Sequence, residues 1–239
     1  MKIAVIVPAY NEENAIASVV SDINNYAKST ALNITVIVVN DCSTDNTKNI
    51  IAKLKCVALN LPINLGIGGA VQTGYKYAYE NNFDYAIQID GDGQHPASEI
   101  SKLLAAAVHE GFDVVIGSRF IAKEGFQSSA IRRFGIQYFK WLNRFLVNII
   151  IHDCTSGYRL INRKALKIVK NYYPDEYPEP ESIIVYSLNR LKIKEVPVIM
   201  KERQGGVSSI GTFSSFYYML KVTLAILFTF LRIKFKKGN

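Results

Sequence analysis

Cysteine is scarce: Cys42, Cys56 and Cys154 are scattered through 239 residues, odd in number and without metal-ligand spacing. This excludes a disulfide framework and a cysteine zinc site, and it fits the reduced thiols of a cytosolic protein. Long apolar runs are missing as well, since no segment reaches the roughly 18–20 uninterrupted apolar residues that a membrane span needs. The first apolar run is cut off by Pro8-Ala-Tyr-Asn-Glu-Glu13, too early for the core and cleavage site of a signal peptide. Internal repeats and low-complexity tracts are absent. Gly66-Ile-Gly-Gly69 lacks G-x-G-x-x-G spacing, and no such motif follows the first apolar run, which excludes a nicotinamide or flavin dehydrogenase. Without G-x-x-x-x-G-K-[ST] the chain is not a P-loop enzyme, and without G-x-S-x-G it has no hydrolase elbow.

What is present is enough apolar matter for a core, 49% of residues, and a formal net charge of +8. Such a charge suits anionic partners: a nucleotide, an anionic membrane or nucleic acid. Nucleic acid is set aside, because the basic tail (Arg232, Lys234, Lys236, Lys237) comes with no folded recognition motif. Ile3–Val7 and Ile34–Val39 are continuous, β-branched runs, as expected of buried parallel strands. Pro8 is expected to end the first strand and Asn11 to cap the helix carrying Ile16, Val19, Val20 and Ile23. A helix with Ile50, Ile51 and Leu54 follows, then a short strand at Val57–Leu59 and a helix with Val71, Tyr75 and Ala78. A strand ends at Asp90, a helix spans Ser98 to about Glu110, and Val114–Ile116 is a further strand. This strict alternation predicts an α/β fold, a doubly wound and mostly parallel twisted sheet flanked by helices. Beyond residue 120 we expect a helix from Ser129 to about Ile151, a polar loop Asp153–Arg159 and a short helix Lys164–Lys170. A proline-punctuated loop Pro174–Pro180, a helix Glu181–Leu191, a strand Glu195–Met200 and a surface loop Lys201–Gly211 complete this half.

In a parallel sheet, ligands bind outside the carboxyl ends of the strands. Four polar strand ends would share that rim: Pro8–Glu12, Asn40–Asp45, Asp90–Gln94 and Gly117–Arg119. Asp90-Gly91-Asp92 places two carboxylates one glycine apart, which repel unless a cation lies beside them. Hard cations such as Mg²⁺ or Mn²⁺ take carboxylates together with substrate phosphates. The bland alternative for this stretch is an Asp-Gly turn. Taken together, the four ends indicate a nucleotide site whose diphosphate is held through a metal.

The ordered set Pro8-Ala-Tyr-Asn-Glu-Glu, Asn40-Asp-Cys-Ser-Thr-Asp, Asp90-Gly-Asp-Gly-Gln-His-Pro, Gly117-Ser-Arg and Asp153-Cys-Thr-Ser-Gly-Tyr-Arg resembles family 2 glycosyltransferases of the GT-A fold. Within that family it is most similar to the dolichyl-phosphate mannose synthase and polyprenyl-phosphate glycosyltransferase branch, over roughly residues 1–210. The resemblance implies a nucleotide-binding half (about 1–120), an acceptor half (about 121–211) and a C-terminal helix (212–239). Pro8, Tyr10, Glu12, Val39 and Asp41 would hold the nucleoside, and Asp90, Gly91 and Asp92 the diphosphate. Asp90, Asp92 and Gln94 would be the metal ligands, for Mg²⁺ or Mn²⁺. Arg119, Arg133 and Arg203 would gather donor or acceptor phosphates, with Arg203-Gln-Gly-Gly-Val-Ser208 matching the R-x-x-G-x-S loop of the family. Ser156, Arg159, Glu181 and Ser208 complete the expected acceptor side. The implied reaction is inverting transfer from a nucleotide-diphosphate sugar.

A polyprenyl phosphate acceptor is already anionic and needs no general base, whereas a saccharide hydroxyl does. Asp153 is the candidate base, and its other reading is a loop-capping aspartate that orients Arg159 or a backbone turn. One departure concerns the acceptor: the branch carries Gly-Tyr-x-Phe-Gln-x-Glu, where this chain has Glu176-Tyr-Pro-Glu-Pro-Glu181. A lipid-linked saccharide or a growing polysaccharide therefore stays open as acceptor, and so does a non-catalytic nucleotide-sugar scaffold. Phe213–Arg232 is aromatic at its start, apolar in its middle and basic at its end. It reads as a helix in the membrane interface, or else as a core-packing or oligomer-forming helix. A lipid acceptor would place the enzyme peripherally on the cytoplasmic face of the membrane.

Overall fold

A computed structural model describes residues 1–122, 124, 130–202 and 214–238. Its first half alternates as the sequence predicts: β1 (Ile3–Ala9), α1 (Ile16–Thr30), β2 (Ile34–Asn40), α2 (Thr47–Ile51), β3 (Val57–Asn60), α3 (Gly66–Glu80), β4 (Tyr85–Gln88), α4 (Ile100–His109) and β5 (Val114–Ser118). The second half holds α5 (Ala130–Val147), β6 (Arg159–Asn162), α6 (Arg163–Val169), α7 (Pro178–Leu188), β7 (Ile193–Pro197) and α8 (Ser214–Gly238). One seven-stranded sheet runs β3-β2-β1-β4-β6-β5-β7, and β6 alone is antiparallel to both of its neighbours.

Side chains on successive strand residues point to opposite faces, and both faces are covered. Ile3, Val5 and Val7 pack against α1 and α4, whereas Ala4 and Ile6 face the side built by α3, α5, α6, α7 and α8. Each such Ile or Val, wholly removed from water, contributes about 1.5–3 kcal/mol relative to exposure. The inner side of α8 belongs to this core, with Val222 and Ile226 fully buried.

Several expectations need correction. β1 does not stop at Pro8 but continues to Ala9, with Pro8 in register with Val39. Its missing N–H lies on the β4 side, where pairing with β1 has already ended at Ile6 and Gln88, so no ladder bond is lost. Asn11 does not cap α1; it has φ of 56° and accepts instead from the Thr44 amide at 2.8 Å, and the helix begins at Ile16. Arg159, expected in a loop, opens β6, which sequence reading missed entirely. The Pro174–Pro180 loop is shorter than expected, because Pro178 serves as the first residue of α7, where its missing N–H costs nothing. α5 stops at Val147, α2 at Ile51 before Leu54, and β7 spans Ile193–Pro197 rather than Glu195–Met200. All three cysteines are free thiols.

Candidate active site

β1, β2 and β4 are parallel, and β5, reached from β4 through two antiparallel pairings, runs the same way. The ends of all four therefore open on one rim, as the motifs required. The loops after β1 and β2 are laced together: Glu12 N donates to Thr47 Oγ1 at 2.9 Å and Asn11 N to Ser43 Oγ at 3.0 Å. Asp41 is buried there and accepts from the Leu65 amide at 2.7 Å, tying the rim to the start of α3. Tyr10 stands exposed above it, while Val39 is sealed in the core.

The Asp-Gly-Asp stretch leaves the sheet just after β4, and its placement follows from its neighbours. Asp90 N donates to His95 Nδ1 at 3.1 Å, so that nitrogen is an unprotonated acceptor and its 3.8 Å approach to Asp90 Oδ2 is not an ion pair. The His95 ring stacks on Tyr158, centroids 4.9 Å apart, and Tyr158 OH donates to Pro96 O at 2.9 Å. Asp90 keeps its side chain about one-third exposed (32%) and accepts from Gln88 Nε2 at 3.1 Å. Asp92 is buried and accepts from Gln94 N at 3.0 Å. Gly157 lies against this carboxylate, and a Cβ there would come within 2.9 Å of both Asp90 oxygens, so the residue beside Asp90 must be glycine. Gly91 is similarly confined, a Cβ meeting Pro8 O at 3.0 Å. Among the described residues no three His, Cys, Asp or Glu side chains cluster tightly enough to hold a metal by themselves. Asp90, Asp92 and the Gln94 amide are all hard oxygen donors, and a donor set this small suits a cation that fills its shell with water and phosphate oxygens.

Arg119, just after β5, meets Asp153 in a two-pronged pair: Nε to Oδ2 and Nη2 to Oδ1, both 2.7 Å. The Arg119 amide adds a third bond to Asp153 at 3.1 Å. Asp153 is 0% exposed, and Glu195 of β7 holds its backbone N–H at 2.7 Å. Burial alone would lower the guanidinium pKa of Arg119, but Asp153 outweighs it and raises it. Asp153 thus orients Arg119 rather than Arg159.

Two of the expected acceptor residues are taken up by the protein's own groups. Arg159 is fully buried and donates to Ser156 O, Cys154 O and Ser182 Oγ at 2.8, 3.0 and 2.6 Å, clamping the 153–156 loop to α7. Glu181 faces α8, accepting from Tyr172 OH and Thr229 Oγ1. It lines a cleft of about 350 Å³ with Tyr172, Tyr177, Lys221 and Arg232. Ser156 is buried in the same loop, whereas Arg133 is exposed on the first turn of α5. Arg203 and Ser208 lie outside the described residues. Sequence reading missed Glu179, which opens α7 beside Pro178 and whose buried carboxyl feels the charges of Arg159 and Asp90. Burial and Asp90 push its pKa up, with Arg159 pulling the other way. A carboxylate just after a proline at a helix start was the available signal.

Residues 4–169 match the model of glycosyl transferase family 2. A UDP-N-acetylglucosamine–dolichyl-phosphate N-acetylglucosaminyltransferase of Methanococcus voltae is 31% identical over 216 residues, covering 82% of this chain and 84% of that protein. The polyprenol monophosphomannose synthase of Mycolicibacterium smegmatis is 27% identical over 217 residues, covering 87% and 80%. In structure, the chain is similar to glucosyl-3-phosphoglycerate synthase of Mycobacterium tuberculosis, solved with Mn²⁺, UDP and glucosyl-3-phosphoglycerate. That likeness has a TM-score of 0.67 over 96% of this chain and 79% of the other, at 19% identity, and shows the shared GT-A fold. With its sheet, its rim and its relatives in agreement, the chain is a glycosyltransferase and belongs to glycosyl transferase family 2.

Proposed function

We propose that the enzyme carries out inverting transfer of a sugar from a nucleoside diphosphate to a polyprenyl phosphate, using Mg²⁺ or Mn²⁺ at Asp90, Asp92 and Gln94. The single observation that favours a phosphate acceptor over a hydroxyl is the Arg119–Asp153 pair. A carboxylate enclosed by protein and held by a guanidinium is poorly placed to take a proton, and a lipid phosphate has none to give. The two relatives, each named for a polyprenyl or dolichyl phosphate product or acceptor, support the same reading.

In this reading Pro8, Tyr10, Glu12 and Asp41 seat the nucleoside at the ends of β1 and β2. A divalent cation, when bound, neutralises charge growing on the diphosphate as the sugar bond breaks. Asp153 holds Arg119 rigid, so its positive charge is already aligned before reaction, the arrangement that lowers a barrier most. Arg133, Arg203 and Ser208 are the proposed acceptor-side groups. Membrane contact is part of the proposal, and α8 is not its only support. Along α8, Tyr217, Leu220, Leu224, Phe228, Leu231 and Phe235 are exposed at three- and four-residue steps, a single apolar face. On α5, Phe134, Trp141 and Phe145 are exposed too, the last two stacked at 5.8 Å. Neither helix contains Asp or Glu, while Arg132, Arg133, Lys140 and Arg144 belong to α5 and Lys221, Arg232, Lys234, Lys236 and Lys237 to α8. No described helix is long and apolar enough to cross a membrane.

The test is a thermal-shift screen of nucleoside diphosphates with and without Mn²⁺, followed by transfer to undecaprenyl phosphate in detergent. One base should stabilise the protein only with metal, by about 2.7 kcal/mol at a hundredfold excess over Kd. Asp92→Asn should lose both that shift and transfer. Full activity in Asp92→Asn, or an absolute demand for a sugar already on the lipid, would overturn the proposal.

A further inference from the structure

We infer that Glu195 is a positioning residue for the transfer reaction: from the edge of the sheet it fixes the loop whose Asp153 aims Arg119. This rests on the role given to Arg119 above and deepens it. Residues 148–158 belong to no helix or strand, so no ladder satisfies their amides. Glu195 takes two of them. Its Oε2 accepts from His152 N at 2.6 Å and its Oε1 from Asp153 N at 2.7 Å. Bonds from a backbone N–H to an ionised carboxylate are short and roughly twice as strong as neutral ones. Glu195 lies on β7, the edge strand, in register with Ile116 of β5, and Arg119 follows three residues after Ile116. The strand that carries Glu195 is thus bonded directly to the strand that leads to Arg119.

The consequence reaches the D-x-D. Asp153 takes three bonds from Arg119, through N, Nε and Nη2. Later in the same loop Gly157 lies so near Asp90 that a Cβ would come within 2.9 Å of its carboxylate. One short loop therefore meets both the guanidinium and the D-x-D, and Glu195 holds its first foot. Glu195 is not merely an acid that keeps an edge strand soluble, because its side chain is only 5% exposed and both oxygens are engaged. His152 Nδ1 also lies 3.0 Å from Glu195 Oε2, and since a carboxylate cannot donate, that nitrogen carries the proton. A proton-transfer pair is nonetheless the weaker reading. Register sets Glu195 beside Ile116, two residues short of the end of β5, below the rim rather than on it. The bond from His152 N is also one that any residue at that position would make.

Hydrogen exchange of the full chain, followed by NMR at single amides, tests the link without any substrate. In Glu195→Gln one oxygen becomes an N–H₂ donor facing a backbone N–H, so one amide loses its acceptor. The His152 and Asp153 amides should then exchange about tenfold faster or more, and so should the Arg119 amide, which bonds Asp153 rather than Glu195. Transfer to undecaprenyl phosphate from UDP-N-acetylglucosamine or GDP-mannose, whichever the wild type uses, supplies the second readout. There kcat should fall about tenfold or more with donor KM within about twofold, the mark of a displaced group that acts in the transition state. Glu195→Asp, which retains charge at shorter reach, should fall between, and it carries the comparison if the glutamine variant does not fold. His152→Ala keeps the backbone N–H and should transfer as the wild type does. An Arg119 amide as protected in Glu195→Gln as in the wild type overturns the inference, and so does an unchanged kcat. Equal loss of turnover in His152→Ala and Glu195→Gln overturns it as well, in favour of proton transfer by the pair. Wild-type protein that transfers neither sugar would instead defeat the function proposed above, and exchange at Arg119 would still decide the role of Glu195.

Discussion

At the scale of single residues, the Arg119–Asp153 pair has the clearest energetic consequence. Breaking a buried ion pair by removing one partner leaves the other charge stranded, at a cost of about 3–5 kcal/mol. Asp153→Asn is therefore expected to lower unfolding free energy by that order in urea denaturation, together with a large loss of transfer. The residue-level reading of the sequence identified Asp153 as important, but it paired the wrong arginine. Arg119 and Arg159 are equally basic in a string of letters, and only the pairing of β5 with β6 decides which one faces the carboxylate.

At the scale of elements, the edge of the sheet depends on Asp113, which precedes β5. Its carboxylate accepts from Lys192 N at 2.8 Å, Lys164 Nζ at 2.9 Å and Asn162 Nδ2 at 2.9 Å, so one side chain ties together the approach to β7, α6 and the end of β6. Burial pushes its pKa up, but these donors outweigh burial and hold it below 3.8. A lowered carboxyl pKa means stability present above the unfolded value and lost as pH falls through the folded one. Wild type should exceed Asp113→Asn by about 1.5–3 kcal/mol, unchanged between about pH 5 and 7. That margin should shrink once the pH drops below 3.8, which denaturation at stepped pH would follow. Elements were legible where burial imposed a pattern: β1 and the Val36–Val39 part of β2 are sealed on both faces, and both strands therefore read as runs rich in Ile and Val. β6 was not, because four residues headed by an arginine carry no such run, and its neighbours rather than its composition make it a strand. Pro178 and Pro180 hid the start of α7, and with it Glu179.

At the scale of the whole molecule, the question is what covers the aromatic faces of α5 and α8. The helices are joined by Tyr138 OH and Thr223 Oγ1 at 3.1 Å and by Phe139 against Tyr218, centroids 6.2 Å apart. Phe145, Phe228 and Phe235 remain 72%, 67% and 72% exposed. Against an anionic bilayer each nearby Lys or Arg would contribute about 1 kcal/mol. Co-sedimentation should show binding to phosphatidylserine-containing vesicles, reduced by added salt and by Trp141→Ser with Phe145→Ser or Phe228→Ser with Phe235→Ser. Absence of vesicle binding, with a dimer in gel filtration that the same substitutions dissolve, would assign the faces to a second copy of the chain.

The antiparallel course of β6 has one more consequence. Because it runs against β5, the chain leaves the sheet at Ser118 and re-enters it at Arg159 on the same edge, with Gly117 N donating to Tyr158 O at 2.8 Å. Everything between, α5 and the Asp153 loop included, is an excursion whose two feet stand side by side. The entropy of closing such an excursion rises only slowly with its length, about 0.6 kcal/mol for each doubling. The stretch from Phe120 to His152 can thus be lengthened, shortened or exchanged in evolution while Arg119, the Asp153–Tyr158 segment and the strands that lead to Asp41 and Asp90 keep their places. A donor-reading chassis with an interchangeable head is a direct route from one sugar nucleotide to many acceptors.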